Sequence, residues 1–188
     1  MFENSFTNSL IASLAIFVVF FLIGCFVIAP NEEIAVPIMN VITEEMGALA
    51  MNDDALILMF QIFLNNLSAS VILFVGGTVL GIATGYVLLT NGFFIGVVMG
   101  YMANLKGIAL SVVSIVPHGI FELSAFFIAS AMGFMLAESV YNEFCGRGDA
   151  AETAKGLGMK FVTVVIPLLF LAAYIESFIT PLLMKAVM

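Results

Sequence analysis

Long apolar stretches alternate with short polar segments along the whole chain. The apolar run from Leu10 to Ala29 covers 20 residues, the length at which a helix crosses a bilayer. The segment before it contains no Lys or Arg, so we interpret the run as a retained first span and not as a signal peptide. The later apolar stretches predict four more spans. The five predicted spans are residues 10–29, 60–89, 92–115, 118–138 and 161–180.

Two regions leave the helix boundaries open. From Ala55 to Leu89 the chain is apolar for 35 residues, and one helix of that length would measure about 52 Å, more than a bilayer. The helix therefore lies partly on the surface, tilts and protrudes, or breaks at Gly76–Gly77, and we end the span before the turn-forming residues 90–92. The next stretch, residues 92–116, either spans the membrane or contains a re-entrant or broken segment near residues 104–118.

The charged residues predict the orientation of the spans. Residues 31–54 contain six acids and no base, whereas residues 139–160 contain three of the five basic residues of the chain. Because cytoplasmic loops are enriched in Lys and Arg, we expect residues 139–160 and the N-terminus inside, and residues 31–54 and the C-terminus outside. A helix on the outer membrane surface is predicted at residues 34–50, and a short surface helix within the basic loop.

The composition limits the class of protein. Hydrophobic residues make up 63% of the 188 residues and charged residues only 10%, so a soluble globule would lack the polar surface to cover itself. We expect one integral membrane domain over residues 1–188, located in the cell membrane as a multipass protein with lipid around it. The net charge of -8 argues against nucleic acid as a partner. Two cysteines form no disulfide framework.

Small residues recur at every fourth position on three consecutive segments. Small residues at this spacing share one helix face and let two backbones approach closely, which favours helix association in lipid. The pattern predicts a tight bundle, and a homodimer interface on one of these faces is the alternative. A large residue such as Leu88 is expected to face lipid. The small residues are Gly77, Gly81 and Gly85, then Gly92, Gly96 and Gly100, and finally Ala125, Ala129, Gly133 and Ala137.

The stretch VPHGIFELSAFFIASAMG contains the only histidine of the chain, His118, and a glutamate four residues later, Glu122. Pro117 favours the first turn of a helix, so both side chains should share a face near the start of a span. A second acid, Glu176, also lies in apolar sequence, with Thr180 one turn later. Ionisable groups in a membrane usually face the bundle interior and a partner.

Three interpretations of these residues stay open. The first is a structural clamp in which the polar side chains satisfy one another, together with Asn65 and Asn66. The second is a site for an ion, a proton or a substrate. The third is a catalytic or metal centre, although one histidine and two carboxylates match no known metal motif. We therefore assign no cofactor, and the metal question is open.

At the same positions the chain resembles the stage II sporulation protein M family of multipass membrane proteins. The resemblance rests on four motifs in the order of the family: FLNN at 63–66, TNGFFIG at 90–96, PHGIFELSAFFIASAMG at 117–133 and AAYIESFITP at 172–181. It implies about five spans and, in spore-forming bacteria, action with membrane-anchored enzymes that degrade the cell wall. By position, the polar residues of the family motifs correspond to Asn65, Asn66, Asn91, His118, Glu122 and Glu176.

The sequence thus predicts an all-α integral membrane protein with about five transmembrane helices. Its expected function is that of a scaffold or accessory factor for membrane or cell-envelope proteins, alone or as a homo-oligomer. The alternative is a small transporter or channel that uses the polar cluster. A transporter would be expected to consist of two repeated halves, and we find no such repeat in the sequence. An intramembrane hydrolase would need a nucleophile near His118, and the sequence offers none, so we expect a protein that is not an enzyme.

Overall fold

The computed structural model describes residues 2–49 and 54–187 of the chain. Within these residues the backbone is helical almost throughout and contains no strand. Five of the described stretches are long and apolar enough to cross a membrane. They are Ser5–Ile28, Ala55–Val79, Ile82–Lys106, Val116–Phe144 and Ala150–Lys185. The prediction of an all-α membrane protein with about five spans is therefore confirmed.

The first span is helix α1 (Phe2–Ile23) followed by a π-helical turn, Gly24–Ile28. It ends just before Pro30, as predicted, and the short helix α2 (Glu32–Leu49) follows. A helix in this segment was predicted, and its position on the outer membrane surface stays a prediction. Asp53, one of the acids of the predicted outer segment, lies outside the described residues.

A tight turn at residues 76–81 separates the second and third spans. Helix α3 (Ala55–Val75) ends in a single 3-10 turn, Gly76–Val79, and α4 (Ile82–Lys106) begins directly after it. Leu80 and Gly81 have φ angles of 56° and 77°, a left-handed conformation that reverses the chain and that suits glycine. Of the alternatives left open by the sequence, the break at Gly76–Gly77 is the one found.

The predicted turn at residues 90–92 is therefore wrong, and so are the predicted spans 60–89 and 92–115. Thr90, Asn91 and Gly92 lie inside α4. Asn-Gly favours a turn in an isolated chain, but here Gly92 is buried against α1. Tertiary packing has overridden the local preference.

Helix α5 (Ile108–Phe144) is the longest element, with 37 residues, or about 55 Å as a straight helix. Gly107, with φ 86°, separates it from α4, so the break expected near residues 104–118 lies at Gly107. Pro117 is well inside α5, and the prediction that it occupies a first helical turn is wrong. The predicted span 118–138 accordingly starts too late and ends too early.

The last span begins before the predicted residue 161. A short loop at residues 145–149 connects α5 to α6 (Ala150–Lys160). The carboxylate of Asp149 accepts a hydrogen bond from the Glu152 N–H at 2.9 Å, which caps the new helix. The carboxylate of Glu143 accepts from the Ala150 N–H at 3.0 Å. The predicted basic loop 139–160 is thus largely helical, because both helices extend beyond their apolar parts.

From Ala150 onward the chain runs as one continuous helical rod with two π-helical turns. In order, its elements are α6, the π-turn Phe161–Val165, α7 (Ile166–Tyr174), the π-turn Ile175–Ile179 and α8 (Thr180–Val187). A π-turn inside an α-helix inserts a residue and rotates the side chains that follow it, and such turns often occur at functional sites. The second π-turn contains Glu176.

Helices α1 and α4 meet backbone to backbone along three successive turns. A Cβ atom added at any of three glycines of α4 would collide with a main-chain carbonyl of the first span, in α1 or in the π-turn that follows it. The pairs are Gly92 with Phe17, Gly96 with Phe21, and Gly100 with Cys25. Only glycine permits an approach this close.

A second close contact joins α5 to the turn between α3 and α4. Gly133 lies against the carbonyl of Leu73, and Gly77 lies against the carbonyl of Gly133. The hydroxyl of Thr84 donates a hydrogen bond to the Leu73 carbonyl at 2.7 Å. By contrast, a Cβ added at Gly85 would have no described atom within 4 Å. The small residues that recur at every fourth position therefore do not share one role: some lie in close backbone contacts, and Gly85 does not.

Leu88, expected to face lipid, is completely buried. It belongs to an apolar core formed by α1, α3, α4, α5 and the last span. Phe17 of α1 belongs to this core and packs edge to face on Phe126 and Phe127 of α5. The faces away from this core expose many large apolar side chains, as expected of helices surrounded by lipid.

Candidate polar site within the membrane

Three helices bring polar side chains to the same level of the bundle. His118 lies ten residues after the start of α5, Asn66 eleven residues after the start of α3, and Glu176 eleven residues before the end of α8. These helix ends lie on the same side because successive spans alternate in direction. At a rise of 1.5 Å per residue, each side chain is about 15 Å from that side.

His118 and Glu176 form the contact between α5 and the last span. Nδ1 of His118 lies 2.5 Å from Oε2 of Glu176, which is a short hydrogen-bonding distance. The two side chains are 16% and 28% exposed, respectively. The π-turn Ile175–Ile179 carries Glu176, so the irregular helix geometry occurs where the acid meets its partner.

Glu122 completes the cluster from the next turn of α5. It is partly buried and makes a side-chain hydrogen bond with Asn66 of α3. The side-chain amide of Asn66 donates this bond, and a carboxyl oxygen of Glu122 accepts it. Glu122 also interacts electrostatically with both His118 and Glu176. The cluster therefore links α3, α5 and the last span.

Two hydroxyl groups beside Glu176 are almost completely buried. Ser177 is 5% exposed and Thr180 is 6% exposed. Their oxygens have no hydrogen-bond partner among the described residues, and the same holds for Oε1 of Gln61 on α3. Thr180 was predicted from its spacing to Glu176, whereas Ser177 and Gln61 were not, because small or neutral polar residues are common in spans. For Ser177, the position directly after Glu176 was the available signal.

The structure separates two predicted site residues from this cluster. The side-chain amide of Asn91 donates to the carbonyl of Val87 in its own helix at 2.9 Å. Asn65 is exposed, and its amide reaches Oδ1 of the neighbouring Asn66 at 3.5 Å. The residues brought together are His118, Glu122, Glu176 and Asn66, and Thr180 follows Glu176 by four residues on the same helical span.

The described side chains form no group of three or more His, Cys, Asp or Glu residues placed to hold a metal ion. The chemistry available is instead that of two carboxylates, one imidazole and neutral oxygen and amide groups.

Comparison with known proteins places this chain in a family. Residues 13–181 match the family described as Stage II sporulation protein M. The chain belongs to the stage II sporulation protein M family. The match covers all of the cluster, including Asn66, His118, Glu122 and Glu176, and it confirms the resemblance found in the sequence.

One relative of this family member is an uncharacterized protein of Methanocaldococcus jannaschii. The two chains are 32% identical over 125 residues, which is 64% of this chain and 70% of the relative. No solved structure matches the chain significantly. Family membership and the five apolar helices together show a multipass membrane protein.

Proposed function

We propose that this member of the stage II sporulation protein M family is a scaffold or accessory factor for other proteins of the cell membrane and envelope. The observation that carries the proposal is the direct backbone contact between α1 and α4 at Gly92, Gly96 and Gly100. Helices packed this closely cannot slide or separate without losing contacts along three turns. Such a bundle offers partners outer surfaces of fixed shape.

The polar cluster supports the same function as a fastening between helices. His118 contacts Glu176 across α5 and the last span, and Glu122 bonds to Asn66 across α5 and α3. Each of these bonds joins a different pair of helices. In a scaffold, the cluster holds three spans in one register.

The family resemblance adds the kind of partner. In spore-forming bacteria, members of the family are implied to act with membrane-anchored enzymes that degrade the cell wall. We extend this only to the class of partner, a protein of the same membrane or of the envelope. The cell membrane is then the expected location.

A small transporter or channel is the second candidate. The observation that favours it is the presence of His118, Glu122 and Glu176 within otherwise apolar spans. Ionisable residues at such depth often mark the pathway of an ion or a proton.

A pair of experiments distinguishes the two functions. A photo-crosslinking amino acid would be placed at Val18 or Ile82, which are exposed, and at Val97, which is buried, as the matched control. For a scaffold we expect a crosslink from an exposed position to one defined membrane or envelope protein, whose abundance or location changes when the gene is deleted. Expression of the wild-type gene in the deletion strain should restore the abundance or location of that partner, and expression of Gly96→Leu should not.

The second experiment measures ion and proton flux in liposomes that contain the purified protein. A scaffold should give the flux of empty liposomes. Saturable flux that Glu122→Gln abolishes, together with an unchanged membrane proteome in the deletion strain, would contradict the scaffold and support the transporter.

A further inference from the structure

The polar cluster contains more acid than base. Glu122 and Glu176 contribute two carboxylates, whereas His118 contributes at most one positive charge. If all three groups are ionised, one negative charge is uncompensated. An uncompensated charge within a membrane protein is costly, because neither lipid nor packed side chains solvate it as water does.

The elements packed around the cluster supply no second base. α3 contributes Asn66, which is neutral, and the titratable groups on α5 at this level are His118 and Glu122 themselves. On the last span the nearest basic residue is Lys185, nine residues after Glu176 and exposed, which is about 13 Å along a helix. On α4 the basic residue is Lys106, exposed at the helix end.

The π-turn that carries Glu176 and the start of α8 also contain buried oxygen atoms that have no described partner. The hydroxyls of Ser177 and Thr180 are at least nine-tenths buried and unpaired among the described side chains. Thr180 begins α8, which packs against α5, and it follows Glu176 by four residues across the π-turn. A turn of this kind keeps the two side chains on similar faces and weakens the regular backbone hydrogen bonding. Buried polar oxygens normally have a partner.

We propose that the cluster formed by His118, Glu122, Glu176, Asn66 and Thr180 is a binding site for one monovalent positive charge. The charge is held between the carboxylates of Glu122 and Glu176, and it neutralises the cluster. Two sources share this chemistry. A proton would be bound by a carboxylate oxygen, and an alkali-metal ion would be bound by oxygens of both acids with the hydroxyl of Thr180.

With His118 protonated, the stoichiometry follows from the charges, since one monovalent cation makes the cluster neutral and a divalent ion would leave it positive. Oxygen ligands suit hard cations, and the absence of a three-ligand group of His, Cys, Asp or Glu in the described chain argues against a transition-metal ion. This site goes beyond the proposed scaffold function, because binding a cation requires no transport and the scaffold requires no cation.

Thermal unfolding of the full-length protein in detergent, followed by circular dichroism, tests the proposal. In one arm, Na⁺ or K⁺ replaces choline at fixed ionic strength and pH. In the other arm, pH rises from about 6 to about 9 without alkali-metal ions. A ligand that binds the native state stabilises it, and each tenfold change in a saturating ligand should shift Tm by about 3–5 °C.

The two sources give different results. For an alkali-metal ion, Tm rises with Na⁺ or K⁺. For a proton, Tm falls as pH rises, because the native state loses a proton that the unfolded state does not hold, and alkali-metal ions have no effect. Glu122→Gln removes the excess negative charge with little change of shape, so it should abolish the dependence on alkali-metal ions and leave only the part of the pH dependence that the His118–Glu176 pair contributes. The matched control, Glu32→Gln, changes an exposed acid on α2 and should keep the wild-type dependence.

Measurements on the wild-type protein alone cover the case in which Glu122→Gln does not fold. Equilibrium binding of radioactive Na⁺ and K⁺ detects an alkali-metal ion at one per chain. Infrared spectroscopy detects a proton as the C=O stretch of a carboxylic acid at neutral pH, which disappears at high pH. Two results would overturn the proposal. The first is that the wild-type protein shows no binding of Na⁺ or K⁺ and no carboxylic-acid band. The second is a Tm dependence that is unchanged in Glu122→Gln.

Discussion

Two helix contacts in this bundle differ in the groups that form them: one consists of glycines packed on backbone, and the other of polar and ionisable side chains. α1 and α4 meet through glycines on main-chain carbonyls, without a charged side chain in the contact. At the level of the polar cluster, α3, α5 and the last span contact one another through a histidine, two glutamates and an asparagine. The first contact depends on shape alone, whereas the second depends on which groups carry charge.

The difference predicts how each contact fails. In the α1–α4 contact any added atom must push two backbones apart, so the damage is the same under all solution conditions. In the polar contact, removal of one group leaves its partner unpaired in a poorly solvating environment. Substitutions there should interact with one another, and their effects should depend on the ionic surroundings.

The largest effect is expected at Gly96. In Gly96→Leu the new side chain starts against the Phe21 carbonyl, and we expect a loss of at least about 3 kcal/mol in the free energy of unfolding or no stable protein. Reversible unfolding in mixed micelles, or accumulation in membranes, measures it.

The matched control uses a milder pair of substitutions. Gly96→Ala should cost about 1–3 kcal/mol, whereas Gly85→Ala, at a position with no described atom within 4 Å of an added Cβ, should be neutral or stabilise by up to about 1 kcal/mol. Equal losses at both glycines would mean that the contact with α1 is not the cause.

His118→Ala should have the next largest effect. It leaves Glu176 without its partner at 2.5 Å and increases the excess of acid in the cluster. Because both side chains keep some exposure, we expect a loss of about 2 kcal/mol, below the value for a fully buried ion pair. The same unfolding measurement checks it, and a loss below about 0.5 kcal/mol would show that the contact contributes little.

A smaller effect is expected at Asn66. Asn66→Ala removes the hydrogen bond to Glu122, and bonds to charged groups contribute about 1.5–3 kcal/mol before relaxation, so a loss of about 1 kcal/mol is expected. Asn65→Ala is the control, since Asn65 is exposed and should change stability by less than about 0.5 kcal/mol. A larger loss of stability in Asn65→Ala than in Asn66→Ala would show that Asn65, and not Asn66, belongs to the cluster.

The smallest effect is expected at Asn91, although it belongs to a family motif. Its amide bonds only within α4, to Val87, and alanine favours a helix more than asparagine does. The loss of this bond and the gain in helix propensity should nearly cancel, within about 0.5 kcal/mol. A loss above about 2 kcal/mol in the same unfolding assay would indicate a role that the helix bond does not explain.

The fold class could be predicted because the requirement for about 20 apolar residues per span is written directly in the sequence. The helix boundaries could not be predicted, because they depend on packing against neighbouring helices. Asn91–Gly92 is a turn signal in isolation, but Gly92 is needed against α1, and the chain turns instead at Leu80–Gly81. Leu88 was likewise assigned to lipid, although its helix face is covered by the core.

The candidate site shows the same division. His118, Glu122 and Glu176 stand out because ionisable residues are rare in apolar sequence, so their identity could be predicted. Their geometry depends on a π-turn at Ile175–Ile179 and on a helix that continues through Pro117. Neither feature has a reliable sequence signal, and both arise from packing between spans.

The most direct test of the account is a double-mutant cycle between His118 and Glu176. The single variants His118→Ala and Glu176→Gln and the double variant are compared with wild type by reversible unfolding under one set of conditions. We predict that the double variant loses at least about 1 kcal/mol less than the sum of the single losses, because neither partner is then left unpaired. Additivity within about 0.3–0.5 kcal/mol would mean that the two residues act independently, and it would contradict the coupled cluster.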